Sequence, residues 1–413
     1  VVLAVGQVLT GEPLVGVILV FALAAAAVVW LLRAVLAERW ALVGGLVCAG
    51  HPGLLCGGDY GWTRTYWGTA PALIGAALLY GGVWRLHKGR RGALAVGVGL
   101  LLLANSRPFE GAVVSVSALV SLVRLPWRRW WPAGGVLLIG AVGMGIYNHA
   151  VTGSALRLPY QEHARQYGYA PLFVWQSLGA EPAYRVAEMR AFHTGWELSH
   201  YQAQTTLAGW WAVALNKWHR MWEFYARTLS LALLCVPLAW HARWVRLALV
   251  AIGLVLLALT LSTWAQPHYA GPAVGLLCAV AVASLRAAQL VRPLRATGRW
   301  LALAFVGLLA ADTLNLARTS AVPAASSWHW QRAAVAEWLQ GQPGTQLVFV
   351  TYPPGWTGAQ EWVYNRADLQ GAQTVWARAR GADADAALRT LHPGRHVWRL
   401  RVNADGYQLT AEP

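Results

Sequence analysis

Apolar runs at or near bilayer-crossing length recur from Leu14 to about Leu316. A helix needs roughly 20 apolar residues to cross a hydrocarbon core about 30 Å thick, and inside that core every backbone N–H and C=O must bond within the chain. Repeated runs of this kind dictate a bundle of membrane helices. Only 12% of residues are charged, 57% are hydrophobic and the mean hydropathy is +0.41, whereas soluble domains carry about a quarter charged residues. A water-soluble enzyme and a disordered chain are both excluded. Cys48, Cys56, Cys235 and Cys278 lie in or at the ends of apolar runs, with no CxxC pair. Neither a disulfide framework nor a zinc site is indicated.

The net charge is +16, and its placement says more than its sign. Of 33 basic residues, 15 fall in five short connections: Arg33 and Arg39; Arg85, Lys88, Arg90 and Arg91; Arg124, Arg128 and Arg129; Arg243 and Arg246; Arg286, Arg292, Arg295 and Arg299. The short connections alternating with these hold only Arg64 and Arg107. This is the positive-inside pattern, and it assigns the five basic connections to the cytoplasmic side. The membrane itself accounts for the charge, so the expected partner is the lipid bilayer and not nucleic acid.

Ten spans are predicted, at about 13–33, 40–56, 67–84, 93–105, 109–123, 132–149, 224–241, 245–264, 269–286 and 300–316. The stretch 93–123 reads either as one helix kinked at Pro108 or as a short hairpin. A single helix would carry Arg124, Arg128 and Arg129 to the outer side, so charge favours a hairpin with Asn105-Ser106-Arg107-Pro108-Phe109-Glu110-Gly111 as its outward turn. Two regions stand outside the membrane: loop 150–223, rich in Tyr, Trp, His and Gln, and the tail 317–413. In the tail, 347–352, 373–377 and 396–402 read as strands, while 333–339 and 384–391 read as helices. The expected fold class is mostly α: a polytopic membrane domain over 1–316, then a small extracytoplasmic α/β or α+β domain over 317–413.

Many of the 25 tryptophans lie at span ends, as interfacial belts require. Trp175, Trp196, Trp210, Trp211, Trp218 and Trp222 of the outer loop have two readings: an amphipathic interfacial helix over 203–224, or platforms for sugar rings.

Ionisable groups near the membrane are costly, about 2.5–3.5 kcal/mol each at a helix centre, so Arg107 and Glu110 must pair or face a polar cavity. Either the two close their own turn as an i, i+3 ion pair, or Arg107 presents its guanidinium to a lipid phosphate. The segment Gly57-Gly58-Asp59-Tyr60-Gly61-Trp62-Thr63-Arg64-Thr65-Tyr66-Trp67-Gly68 sets Asp59, Arg64 and Tyr66 among glycines just before a span, either as an anion-binding loop or as an interfacial turn. Tyr160, Gln161, Glu162 and His163, and likewise His268 and Tyr269, add polar groups on the same face; a histidine at a span end is an interface residue or a ligand for sugar or phosphate. Asp312, inside the last span, either bonds a neighbouring helix or takes part in chemistry. Lys88 and Lys217 are the only lysines and neither follows a Walker A pattern, and HExxH and GxSxG are missing. ATP hydrolysis and proteolysis are excluded accordingly. Gly97-Val98-Gly99 lies in an apolar run and reads as helix packing.

Tyr66-Trp67-Gly68 opening a span, the 105–111 turn, Leu158-Pro159-Tyr160-Gln161 with Tyr167-Gly168 and Ala170-Pro171-Leu172-Phe173, and Pro267-His268-Tyr269-Ala270-Gly271-Pro272 together resemble bacterial integral-membrane glycosyltransferases of the GT-C superfamily. The likeness is to the protein O-mannosyltransferase and aminoarabinose transferase type, and covers about residues 1–316. In the tail, Glu361-Trp362-Val363-Tyr364-Asn365-Arg366-Ala367-Asp368 is similar to the same relatives. The resemblance implies transfer of a sugar from a polyprenyl-phosphate donor to a glycan, lipid or protein acceptor on the extracytoplasmic face of the plasma membrane, with a divalent metal as a candidate cofactor. Such a reaction needs a carboxylate base and cations for the departing phosphate. Arg107 is the leading phosphate ligand, with Arg64 and His268 behind it. The family places its catalytic acid on the first outer loop, which is expected upstream of Val1; Asp59 and Glu162 are the acids within the chain that come into question. A lipid or small-molecule transporter and a noncatalytic anchor for the tail are the competing classes.

Overall fold

The computed structural model describes residues 2–57, 60–63, 65–291, 293, 295–319, 327–356, 360–403 and 406–412. The chain forms two compact units, Val1–Thr319 and Ser320–Pro413.

The first unit is helical. It runs α1 (Val2–Thr10), α2 (Pro13–Leu32), α3 (Glu38–Ala49), α4 (Pro52–Cys56), α5 (Thr69–His87), α6 (Ala93–Ser106), α7 (Pro108–Leu122) and α8 (Trp131–Thr152). After these come the short α9 (Pro159–Tyr167), α10 (Ala187–Ala191) and α11 (Leu198–Gln202), then α12 (Leu207–Met221), α13 (Ser230–Leu233), α14 (Val236–Ala239), α15 (Arg243–Leu261), α16 (Gly271–Leu290) and α17 (Arg295–Thr319). Five stretches are long and apolar enough to cross a membrane: Pro13–Leu32, Trp131–Thr152, Arg243–Leu261, Pro267–Leu290 and Arg295–Thr319. This is a multi-pass membrane architecture.

Two apolar runs expected as single spans are broken. The run 40–56 splits at Gly50 and His51, because Pro52 pushes the preceding residue out of the α region; His51 sits at φ −68°, ψ 121°. The run 224–241 begins in a π-type turn, Trp222–Ala226, and continues as two single-turn helices, the second carrying Pro237. Both breaks meet: His51 Nε2 lies 2.9 Å from the Tyr225 carbonyl, and a Cβ on Gly53 would fall 2.4 Å from the Phe224 carbonyl. Arg107, ahead of Pro108, leaves the helical region in the same way (φ −146°, ψ 76°), so α6 and α7 form a hairpin and not one kinked helix.

Small residues set the helix spacing. A Cβ on Gly99 would fall 2.5 Å from the Gly75 carbonyl, and one on Gly92 2.4 Å from the Gly82 carbonyl, which holds α5 and α6 in backbone contact. A Cβ on Gly97 would fall 2.9 Å from the Ala133 carbonyl of α8, so the Gly97-Val98-Gly99 stretch is helix packing, as expected. At the centre lies α16, whose side chains from Gly271 to Leu285 are almost all buried against α5, α15 and α17. By contrast only 6% of the residues in the apolar windows of α8 and α17 are buried. Apolar helices left this bare are suited to lipid tails.

The basic connections gather at one end. Arg85 lies 3.7 Å over the Trp30 ring, Lys88 Nζ donates to the Ala34 carbonyl at 2.5 Å, and Arg129 donates to the Leu86 carbonyl at 3.4 Å.

The second unit is α18 (Trp328–Gln340), β1 (Gln346–Thr351), β2 (Thr374–Arg378), α19 (Ala382–Leu391), β3 (His396–Val402) and β4 (Tyr407–Glu412), with sheet order β2-β1-β3-β4. β1 is parallel to β2 and β3, pairing Val348 with Trp376 and with Trp398; β4 returns antiparallel on β3. Alternation sorts the sheet's two faces. Val348 and Val350 pack with Val335 and Leu339 of α18 around Trp362, while Leu347, Phe349 and Val375 meet Leu388 of α19 on the other side. The strands and helices expected in the tail are present; β4, short and half exposed, is an addition to them.

Candidate functional site

The connection between α15 and α16, residues 262–270, gathers polar groups from five distant parts of the chain. It is held first by the long loop: Thr263 N donates to the Leu172 carbonyl at 2.8 Å and Val174 N to the Leu261 carbonyl at 3.0 Å, forming an antiparallel bridge at Phe173 and Ser262. Phe173 in turn packs edge-on against Phe109, 4.8 Å away, which ties the loop to the Arg107 turn.

From α12 come two cations one turn apart. Lys217, 1% exposed, donates to Gln204 Oε1 at 2.8 Å and to the Ser262 carbonyl at 2.6 Å. Burial, joined by the field of Arg220, pushes its ammonium down to about 8. Arg220 donates to Gln266 Oε1 at 2.9 Å and to the Ala265 carbonyl at 2.8 Å. Tyr60 donates to the same Gln266 oxygen at 2.8 Å, and Tyr225 to the Pro267 carbonyl at 2.7 Å.

His268 is 3% exposed and sandwiched by rings: Trp67 stacks on it at 4.3 Å with an interplanar angle of 8°, and Tyr60 lies 5.8 Å away. The Arg107 guanidinium covers the Tyr269 ring at 4.3 Å. Three buried nitrogens around this segment, Arg107 Nε, Arg220 Nε and His268 Nδ1, have no hydrogen-bond partner. A buried donor without an acceptor costs about 1–3 kcal/mol, so the two guanidinium Nε–H groups, with the imidazole between rings beside them, are poised for a ligand rich in acceptor oxygens.

Beside the cluster lies an apolar cavity of about 520 Å³ between α12, α15 and α16, lined among others by Trp218, Met221, Val255, Ala273 and Leu277. Tyr225 and Ala270 belong to both: they line the cavity and adjoin the 266–269 segment. Two buried guanidinium groups beside an apolar cavity match an amphiphile with an anionic head.

Of the residues singled out from sequence, Arg107, His268 and Tyr269 come together here. Glu110 lies in the first turn of α7, where helix N-terminal N–H groups favour a carboxylate; it is 6% exposed and makes no ion pair with Arg107. The self-paired reading of that turn is therefore not what the chain adopts. Tyr66 is 58% exposed next to Trp67. Asp59 and Arg64 lie outside the described residues. Tyr160, Gln161 and Glu162 sit on α9; Tyr160 is 48% exposed, while Gln161 Oε1 accepts from Leu158 N at 3.1 Å and Glu162 is bound by Arg165, Gln166 and Arg157. The Arg165 and Gln166 hydrogen bonds hold Glu162 down to about 2, the opposite of what a general base requires. His163 contacts Tyr167 and His193, both in the same loop. Asp312 accepts from Thr228 Oγ1 at 3.0 Å and so does bond a neighbouring segment.

Sequence reasoning missed Tyr60, Lys217, Arg220 and Gln266. A signal existed: Lys217 and Arg220 stand i, i+3 on an otherwise tryptophan-rich helix. That helix, α12, lies within the expected 203–224 stretch and docks on α15 through its indoles, with Trp210 and Trp218 donating to the Thr260 and Leu256 carbonyls at 3.0 Å each. Among the described residues no three His, Cys, Asp or Glu side chains are grouped so as to hold a metal ion. Compared with family models, curated proteins and solved structures, the chain matches none.

Proposed function

We propose that this chain is a bacterial plasma-membrane glycosyltransferase of GT-C type. In this reading it binds a polyprenyl-phosphate sugar with its phosphate at Arg107, Arg220 and His268 and its isoprenoid in the adjoining cavity, and the sugar passes to an acceptor on the extracytoplasmic face. The observation that carries the reading is the juxtaposition of three unpartnered buried nitrogens with an apolar cavity of about 520 Å³. A phosphoester supplies the missing acceptors, and a polyprenyl chain fills space that water would not. Positive charge at the phosphate also stabilises it as it leaves, which is the largest electrostatic demand of the transfer. The ten-span arrangement belongs to this reading: α5, α6 and α7 with the broken pairs α3–α4 and α13–α14 complete the set as short or tilted crossings.

A second reading is favoured by one feature. The two interrupted helices meet at His51 and Tyr225, within reach of the same site, and paired broken helices are a mark of transporters. A lipid translocator would use the same phosphate pocket without bond cleavage.

The test is the full chain reconstituted in vesicles with a radiolabelled polyprenyl-phosphate sugar. Glycosyl transfer releases polyprenyl phosphate and labels an acceptor; translocation moves intact lipid between leaflets. Arg107→Ala and Arg220→Ala are expected to weaken lipid binding by tenfold or more, on the scale of a lost charged hydrogen bond of about 1.5–3 kcal/mol. Arg107→Lys is expected to be impaired as well, because a fork becomes a point charge. Unchanged binding in folded Arg107→Ala and Arg220→Ala variants would remove this pocket from either reading.

A further inference from the structure

The opposite end of the helical unit carries a second cleft, which the proposed reaction does not use. It measures about 380 Å³ and is lined by Val35, Trp84, His87, Lys88, Ser121, Arg243, Trp244 and Leu247. Its base is aromatic: Trp84 and Trp244 meet edge-on at 5.3 Å. Trp84 is 5% exposed and its indole N–H has no hydrogen-bond partner. Two cations flank the rings. The Lys88 ammonium is held on the Ala34 carbonyl beside Val35, and Arg243 opens α15 with no ion pair among the described residues. His87 bonds Ser121 Oγ at 2.8 Å, and the charges of Arg243, Arg124 and Arg129 all reach it.

Counter-charge is scarce at this end. The five basic connections contain 15 Lys and Arg and a single carboxylate, Glu38, which is spent on Arg33 at 2.5 Å. The surplus must be met from outside the protein. Val35, Trp84, Trp244 and Leu247 make one wall of the cleft apolar, so the ligand that fits carries acyl chains as well as negative charge.

We propose that this cleft is a binding site for an anionic phospholipid, its phosphodiester between Lys88 and Arg243 and its acyl chains along Trp84, Trp244 and Leu247. The site stands independently of what the other end binds.

Native mass spectrometry of the full chain in detergent, titrated with phosphatidylglycerol or phosphatidylcholine, tests it. Phosphatidylglycerol is expected to be retained and phosphatidylcholine lost. The double substitution Lys88→Gln/Arg243→Gln should weaken phosphatidylglycerol by about thirtyfold, taking roughly fivefold per basic residue near an anionic headgroup. Arg39→Gln/Arg128→Gln removes equal charge from the same end without touching the cleft, and should change affinity by less than about threefold. An equal loss in both double variants would mean diffuse attraction and overturn the site. Displacement of phosphatidylglycerol by millimolar inorganic phosphate would overturn it in favour of a free-anion pocket. If Lys88→Gln/Arg243→Gln fails to fold, Lys88→Arg/Arg243→Lys keeps both charges and exchanges their shapes. Retained phosphatidylglycerol with phosphatidylcholine still lost then supports the site, and loss of selectivity counts against it.

Discussion

Lys217 shows how much one buried charge can organise. Its ammonium joins the long loop, through Gln204, to the end of α15, through the Ser262 carbonyl, and Gln204 itself donates to the Thr263 carbonyl at 2.6 Å. Burial lowers its proton affinity in the folded chain to about 8, against 10.5 for a free lysine. Between those values the unfolded chain holds a proton that the folded chain has released, so stability rises with pH across this window. The slope is at most about 1.4 kcal/mol for each pH unit crossed, less what solvent screening removes. Thermal unfolding of the wild type and Lys217→Met in detergent, from about pH 7.5 to pH 10, should show a rising slope only in the wild type; equal slopes would refute the assignment. Arg107, Arg220 and His268 are different in kind, since each keeps a buried nitrogen unspent. Single unpartnered atoms also occur in the packed cores, as at Trp362 Nε1, and what sets this site apart is that two guanidinium groups and an imidazole meet around one segment beside an apolar cavity.

At the scale of elements, glycine placement decides which helices touch. Gly75 and Gly99 bring α5 and α6 into backbone contact, whereas Gly143 of α8 and Gly253 of α15 have open space where a Cβ would go. Gly99→Val should therefore cost about 1–3 kcal/mol through overpacking, with Gly143→Val nearly neutral. Melting temperatures in detergent check the pair, and a Gly143→Val loss as large as that of Gly99→Val would contradict the packing. The hairpin at Arg107 was legible in advance from the charge of Arg124, Arg128 and Arg129, whereas Pro108 by itself fitted a kinked helix as well. The breaks within 40–56 and 224–241 were not. Hydropathy reports how apolar a run is, and an apolar run stays apolar when Pro52 or Pro237 interrupts its hydrogen bonds.

Over the whole molecule, charge and contacts agree on two ends of the helical unit. Lys88, Arg129 and Arg85 close one end onto the carbonyls and rings of its own connections. The other holds Arg107, Arg220 and the docked long loop. The proposed orientation puts the first in the cytoplasm and the second, with the tail domain, outside. Single-cysteine labelling in intact cells, after replacement of the native cysteines, should then modify Gly344→Cys and spare Gly89→Cys with an impermeant reagent. The reverse pattern would invert the topology. Membrane character, the basic end, the α6–α7 hairpin and the strands of the tail were all determined by sequence alone, because each follows from local periodicity or charge counted along the chain. Only the tertiary structure decided that Arg220 and Lys217 join Arg107 and His268, that Gln161 and Glu162 bond to their near neighbours in the chain, and that an apolar cavity adjoins the cations. The side-chain bonds that reach the 262–270 connection from α12, Tyr60 and Tyr225 join residues 42 to 206 positions apart, and no local pattern encodes which distant side chain a buried donor will meet.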